Sequence, residues 1–320
     1  MLLFLARRAA GAVVTLVGVL ALVFLLVSAA PGDPAALAAH ARTGTTFVGL
    51  SPEAVADFHR RYGLDRPAAV RFGIWLVRAA SFDLGRSFQD DRPVAERIRD
   101  TLPATLLLNA GALLVALCIA LPCGIAAARR PGGRLDRASA LVFDLLFATP
   151  SFALGLALLL VFSARLRLLP LFADPRLGLK GVVLPVVTLA LASVAPLERV
   201  VRASVLEALR TASALAARAR GEGQIRQVLR ALRRSGVPLV ALGASIVPSA
   251  VSGSILVERL FSLPGSGGLM ADAVFARDYP LILGLTLLVA TLVILASFLS
   301  DAAAALLDPR LRGGGAGGPG

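Results

Sequence analysis

The sequence predicts an all-α, polytopic helical membrane protein with six transmembrane helices and both termini in the cytoplasm. Three observations carry this expectation: the apolar content, the recurrence of span-length apolar runs, and the uneven sharing of arginine among the short connecting segments. Of 320 residues, 57% are hydrophobic, above the roughly 45–50% of soluble domains. A helix crosses a hydrocarbon core with about 20 apolar residues. Six runs approach or exceed that length: 9–30, 102–128, 138–164, 181–197, 237–257 and 281–299.

Arginine sets the orientation. Arg7, Arg8, the 129–137 turn, the 199–234 segment, Arg310 and Arg312 supply seventeen cations on one side. The short loops of the other side carry six: Arg165, Arg167, Arg176, Lys180, Arg259 and Arg277. Residues 32–100 carry no orientation signal, because long loops translocate largely regardless of charge. The richer side is cytoplasmic, and the net charge of +13 reads as topology, with no nucleic-acid partner implied. The first run is read as a retained span. It is longer than the 7–15-residue core of a signal peptide, and the PGDP that follows lacks a small-x-small cleavage context.

Between spans one and two, SPEAVADFHRRYG predicts a short helix, with Ser51 as N-cap, Pro52 at the first helical position and Gly63 as its stop. A second helix is expected from near Asp65, presenting Val70, Ile74, Trp75 and Val77. FDLGRSF reads as a turn, and RPVAERIRDTLPATLLL as a helix entering span two, kinked or restarted at Pro103. Ten arginines face nine acids over 32–100, the balance of a solvated exterior element. This organises the chain as 1–100, a first span with an extracytoplasmic helical segment; 101–312, a five-helix core; and 313–320, a flexible Gly-rich tail.

Span three contains Asp144 and a break at Thr149-Pro150-Ser151. An ionisable group at membrane depth is a pathway candidate, whereas one near a span end snorkels or caps a turn at little cost. Phe152 on span three and Ser249, Ser252 and Ser254 on span five are further translocation-path candidates, though small residues serve helix packing equally well. PGSGG (264–268) reads as a turn back to the membrane. Glu258, Arg277 and Asp278 bracket it, as contacts for an exterior protein or as solvated, ion-paired surface.

Catalysis has little to build on. His40 and His59 are the only histidines; Cys118 and Cys123, five apart on a helix, share no face. No catalytic or metal-ligating residue is assigned. A phosphate-binding loop needs Gly-x-x-x-x-Gly-Lys-Ser/Thr, and the sole lysine, Lys180, follows Leu179. This chain is expected to be no enzyme and to bind no cofactor.

The stretch LAARARGEGQIRQVLRALRRSGVP (215–238) lies between spans four and five. Ile225, Val228, Leu229 and Leu232 form one helical stripe, and Val201, Val205, Leu209 and Ala212 form another upstream. Gly221-Glu222-Gly223 separates them, giving a helical hairpin over about 201–236 on the cytoplasmic side. On composition alone, such a basic amphipathic hairpin lies on anionic membrane lipid.

Segment 201–221, VRASVLEALRTASALAARARG, resembles the lead into the EAA loop of ABC-importer permeases of the dipeptide/oligopeptide/nickel class. Leu215, Ala216, Ala217 and Gly221 occupy the EAA---G positions, with Leu215 where the general motif has Glu. PGDPAA, GLDRP, FDLGRSF, LPATL, LDR, VERLFSLPGSGGLMADAVFARDYP and LLDPRLR are similar to the family pattern in order and spacing, over nearly the whole chain. Gly221 to Pro238 is one residue shorter than usual, which on a helix re-aims a face by about 100°.

The resemblance implies a permease subunit of an ATP-driven importer of peptides or related small solutes, multi-pass in the inner membrane of a bacterium. It implies pairing with a second, homologous permease, two cytoplasmic ATPase subunits that use ATP and Mg, and an extracytoplasmic solute-binding protein. Leu215, Ala216, Ala217, Arg218, Arg220 and Gly221 are then the ATPase-coupling residues. The rival classes are an ion-coupled secondary transporter or channel, which calls for paired midplane charges or broken-helix repeats, and a membrane scaffold, which needs no such hairpin.

Overall fold

The computed structural model describes residues 2–33, 35, 38, 52–173, 175–223, 226–230 and 254–307. Regular structure among them is helical, apart from one isolated antiparallel bridge between Arg86 and Pro93. Helix α1 is Leu2–Ala29, α2 Pro52–Tyr62, α3 Ala68–Ala80, α4 Val94–Arg129 and α5 Arg134–Ala148. Next come α6, Ser151–Leu158, with a π-helical extension Leu159–Arg165, then α7, Leu179–Leu209, and α8, Ala212–Ala219. Helices α9, Ser266–Phe275, and α10, Tyr279–Leu307, complete the series.

Among the described residues, four helices are long and apolar enough to cross a membrane: α1, α4, α7 and α10. The expected third span is no straight rod. Its two parts, α5 and α6 with the π-helical turn, meet at 101°, because Thr149 is extended and Pro150, with ψ of 136°, starts the second part. A residue before proline is pushed out of the α region, so the Thr-Pro dipeptide makes the bend. Counting the pair gives five candidate spans. The expected span 237–257 lies outside the described residues except for 254–257, where a helical stretch 254–260 begins, and the Gly-rich tail also lies outside them. Apolar side chains cover the surfaces of the long helices: Val14, Leu25 and Leu114 are more than half exposed. That suits lipid as the solvent, since the hydrocarbon phase imposes no penalty on such groups.

The chain divides into two compact units. The first joins residues 1–105 to 264–292. Its core is Val94, Ile98, Leu269, Ala273, Leu281, Ile282 and Leu285. Gly284 lets α10 approach α4 closely: a Cβ there would stand 2.6 Å from Val94 Cγ1. A second cluster is aromatic, with Phe88 set between Phe58, Tyr62 and Tyr279 at centroid distances of 4.7–5.7 Å. Helix α2 stops where expected. Gly63 has φ +65° and the Leu64 amide donates to His59 O at 2.8 Å, the wrapped C-terminal geometry that favours glycine. Helix α3 begins three residues after Asp65, because Pro67 (ψ 141°) holds the N-cap.

The second unit comprises residues 106–263 and 293–320. Here α7 packs on α5 and α6. Pro103 proves no boundary, since α4 continues unbroken from Val94 to Arg129. At the far end of α4, Gly124 meets Val201 of α7, a Cβ at that position falling 2.9 Å from Val201 Cβ.

Candidate functional site

Span four and the upstream half of the expected hairpin are one helix. The α7 helix runs 31 residues, and Val201, Val205 and Ala208 are buried against Ala128, Leu121 and Ile125 of α4. Val201, Val205 and Leu209 of the upstream stripe are therefore satisfied inside the chain and offer nothing to an external socket, whereas Ala212 is exposed at the start of the next helix. What it does is fix the direction in which α7 leaves the span.

The chain then breaks at Arg210–Thr211, and a separate helix starts. Thr211 is its N-cap: Ala214 N donates to Thr211 Oγ1 at 3.3 Å, and the Thr211 hydroxyl donates to Ala208 O at 2.9 Å. The cap satisfies an end-of-helix amide that a continuous helix would not have left open. Sequence reasoning ran the stripe through to Ala212 and missed this break, although threonine ahead of Ala-Ser-Ala is a recognisable start signal.

Gly221 ends α8. Its φ is +78°, and the Glu222 amide donates to Ala217 O at 3.1 Å. This six-to-one bond, with a left-handed residue just past the helix, is the Schellman arrangement. It gives the motif's glycine a physical role: it turns the chain sharply after the Leu-Ala-Ala segment. Beyond the turn Gln227 Nε2 donates to Glu222 O at 2.6 Å, and Arg230 pairs with Glu222, closing the turn onto the helical stretch 226–230.

Side-chain placement on α8 is two-sided. Ala217 is completely buried, whereas Leu215 is 55% exposed and Ala216, Arg220 and Gly221 are exposed. The side chain of Arg218 and residues Ile225, Leu232, Arg233 and Arg234 lie outside the described residues. A short helix that exposes Leu215 together with Ala212, Ala216 and Ala219 beside a glycine turn offers a compact apolar knob with room for close approach.

The LDR segment lies next to α7. Asp136 is buried and takes a bidentate pair from Arg202, Nε at 2.5 Å and Nη2 at 2.8 Å, plus the Gly132 amide at 2.7 Å. The fork geometry of arginine suits a carboxylate in this way. Asp144, two turns on, pairs with Arg199 at 2.8 Å, both side chains more than half exposed. Arg199 also lies over the Phe147 ring at 5.2 Å. So α5 and α7 are tied twice, and Asp144 is engaged in one of these ties. Phe152 is half-exposed and Ser254 is buried; Ser249 and Ser252 lie outside the described residues.

In the first unit, motif fragments far apart in sequence meet. Asp278, of ARDYP, is fully buried. It accepts the Ser87 hydroxyl at 2.5 Å and the Phe88 amide at 3.0 Å, both from FDLGRSF, and it caps α10 through the Leu281 amide at 3.3 Å. Burial pushes its carboxyl above the usual range, while these bonds pull the other way. Thr105, of LPATL, accepts the Ser266 amide at 2.7 Å, so the opening amide of the PGSGG helix is satisfied by the protein itself. Glu258 is also fully buried. Asp278 and Glu258 are thus placed inside the chain and expose no carboxylate to another protein in this conformation. Of the three expected contact residues, only Arg277 keeps part of its surface open, and it folds across Gly32.

A family model described as the binding-protein-dependent transport system inner membrane component matches residues 120–313, and its N-terminal companion matches residues 1–109. The chain is 32% identical over 318 residues to the oligopeptide transport system permease protein AppB of Bacillus subtilis, covering 96% of this chain and 98% of that one. It is 32% identical over 309 residues to a Sinorhizobium fredii protein named "Probable peptide ABC transporter permease protein y4tP", covering 94% and 96% respectively. In fold it is similar to a chain of the inward-facing methionine ABC transporter MetNI, at a TM-score of 0.53 and 17% identity over 66% of this chain and 96% of that chain.

Proposed function

The chain belongs to the family of binding-protein-dependent transport system inner membrane components, the multi-pass permease subunits of ATP-driven importers in the cytoplasmic membrane, and from that membership we propose how this one divides its work. Its cargo is a peptide or a related small solute, the class named for its relatives. ATPase and solute-binding partners are general to such importers. The specific assembly proposed here is this chain, a second homologous permease, two ATPase subunits that use ATP and Mg, and one extracytoplasmic binding protein.

Six spans with both termini cytoplasmic complete the topology, supported by the arginine asymmetry. The coupling element is α8 with its Gly221 turn. The observation that carries this reading is the two-sided helix: Ala217 buried on the chain's own side, Leu215 and Ala216 open on the other. ATP-driven closure of the ATPase pair moves α8. Because Val201 and Val205 lock α7 onto α4, movement of α8 is passed to two spans together. The permease then exchanges two packed arrangements of its spans, biased by nucleotide on one face and by the loaded binding protein on the other.

The test is deletion of Ala216–Gly221 in the reconstituted importer. Loss of binding-protein-stimulated ATP turnover, with the thermal stability of the spans retained, is the expected result. Turnover that stays at the wild-type level would remove the coupling role.

A further inference from the structure

We propose that the first unit carries a lipid-headgroup site: a cavity beside α3 that takes the phosphodiester of an anionic phospholipid from the leaflet opposite the chain's N-terminus. The leaflet assignment rests on the topology proposed above; the site itself does not. The cavity has a volume of about 480 Å³, within the roughly 300–1,000 Å³ range of ligand pockets.

Charge is the first argument. Six arginines and two aspartates line the cavity. Both aspartates are already used: Asp91 accepts Arg61 at 2.6 Å and Tyr62 at 2.9 Å, and Asp83 accepts the Gly85 amide at 3.0 Å. Arg66, Arg71 and Arg78 have no carboxylate partner among the described residues. Arg71 instead lies over the rings of Phe24, at 5.4 Å, and Tyr279, at 5.7 Å. The wall therefore carries surplus positive charge, and guanidinium groups bind phosphate by paired donation.

An unsatisfied donor is the second. Trp75 lines the same cavity, and its indole Nε1 is buried with no hydrogen-bond partner among the described residues. A buried N–H without an acceptor is costly and rare. Arg71, Trp75 and Arg78 fall at i, i+4 and i+7 on α3, one helical face, so the surplus cations and the residue with the orphan donor share one wall of the cavity.

Depth is the third. Phe24 lies five residues before the end of α1, and Leu283 four residues into α10. At 1.5 Å per residue these side chains stand about 6–8 Å inside the apolar ends of their helices. That is the headgroup–acyl boundary, where tryptophan and tyrosine belong. A soluble oxyanion has no reason to sit at that depth; a lipid phosphate does.

The chain's one tryptophan makes the test direct. Full-length protein in neutral detergent is titrated with dihexanoyl phosphatidylglycerol while intrinsic tryptophan fluorescence is read. The expected result is a saturable change in wild type, with affinity reduced about ten- to a hundredfold in Arg71→Gln. The doubly exposed-site variant Arg66→Gln/Arg78→Gln, which leaves the Arg71 ring contacts in place, should lose affinity by a smaller factor while its circular dichroism stays that of wild type. No saturable change overturns the proposal, as does unchanged affinity in both variants. Inorganic phosphate matching the lipid's affinity, or a response only to added solute-binding protein, overturns the lipid assignment as well.

Discussion

Replacing Gly221 by valine isolates the turn that ends α8. At φ +78° an L-residue is strained, by about 1–2 kcal/mol. Among the described residues nothing lies within 4 Å of a Cβ at this position, so no clash with them adds to that cost and the loss is conformational. It corresponds to a roughly five- to thirtyfold fall in the population of the closed turn relative to a frayed one. Asparagine visits the left-handed region readily, so Gly221→Asn should recover most of the loss with a bulkier side chain than glycine. The assay is binding-protein-stimulated ATP hydrolysis by the reconstituted importer, read beside the thermal midpoint of the spans. Valine should lower the stimulated rate severalfold, asparagine only slightly, and neither should shift the midpoint. Equal losses for valine and asparagine would show that side-chain size, and not backbone handedness, governs the site, and would refute the reasoning.

Other consequences follow from the same contacts. Burial holds the Asp278 carboxyl above its ordinary value of 3.8, so the folded chain keeps that proton longer than the unfolded one. Stability contributed here is lost as pH rises from about 3.8 through the raised value; the thermal midpoint of Asp278→Asn should lack that downward slope. Arg202→Ala strips the buried Asp136 of its bidentate partner. With the Arg202 side chain 34% exposed, the discounted cost is about 1–3 kcal/mol, and a double-mutant cycle with Asp136→Asn should return a coupling of that order. Gly284→Leu drives a Cβ to within 2.6 Å of Val94 Cγ1 and should cost about 1–3 kcal/mol by overpacking. Combining it with Val94→Ala should recover part of that loss in the same melting experiment.

Local chemistry was legible in the sequence. Gly63 and Gly221 each announced a helix end, and both adopt the left-handed backbone that glycine takes at least cost. Thr149-Pro150 announced a break, although proline alone does not set a bend of 101°. Proline was also over-read at Pro103, which sits inside an unbroken helix, as Pro185 and Pro196 do in α7, because packing around a long helix outweighs one missing hydrogen bond.

Partnership was the part that periodicity could not supply. The Val201–Val205 stripe looks the same whether it faces a neighbouring span or another protein; the structure turns it onto α4. The same limit applied to Asp278, whose partners Ser87 and Phe88 lie some 190 positions away. Charged residues beside a loop read as surface, yet this one caps α10 from within. The resemblance had singled out both fragments without saying that they touch. Ser249, Ser252 and most of the expected fifth span fall outside the described residues.

The central claim is that force enters this bundle from a separate ATPase through α8. Uptake of peptide into proteoliposomes tests it most directly, comparing the complete importer with this chain alone. Uptake that requires the ATPase subunits and hydrolysable ATP, and that collapses when 216–221 is deleted, is the predicted result. Equal uptake by the chain alone, without nucleotide or companion subunits, would contradict the account.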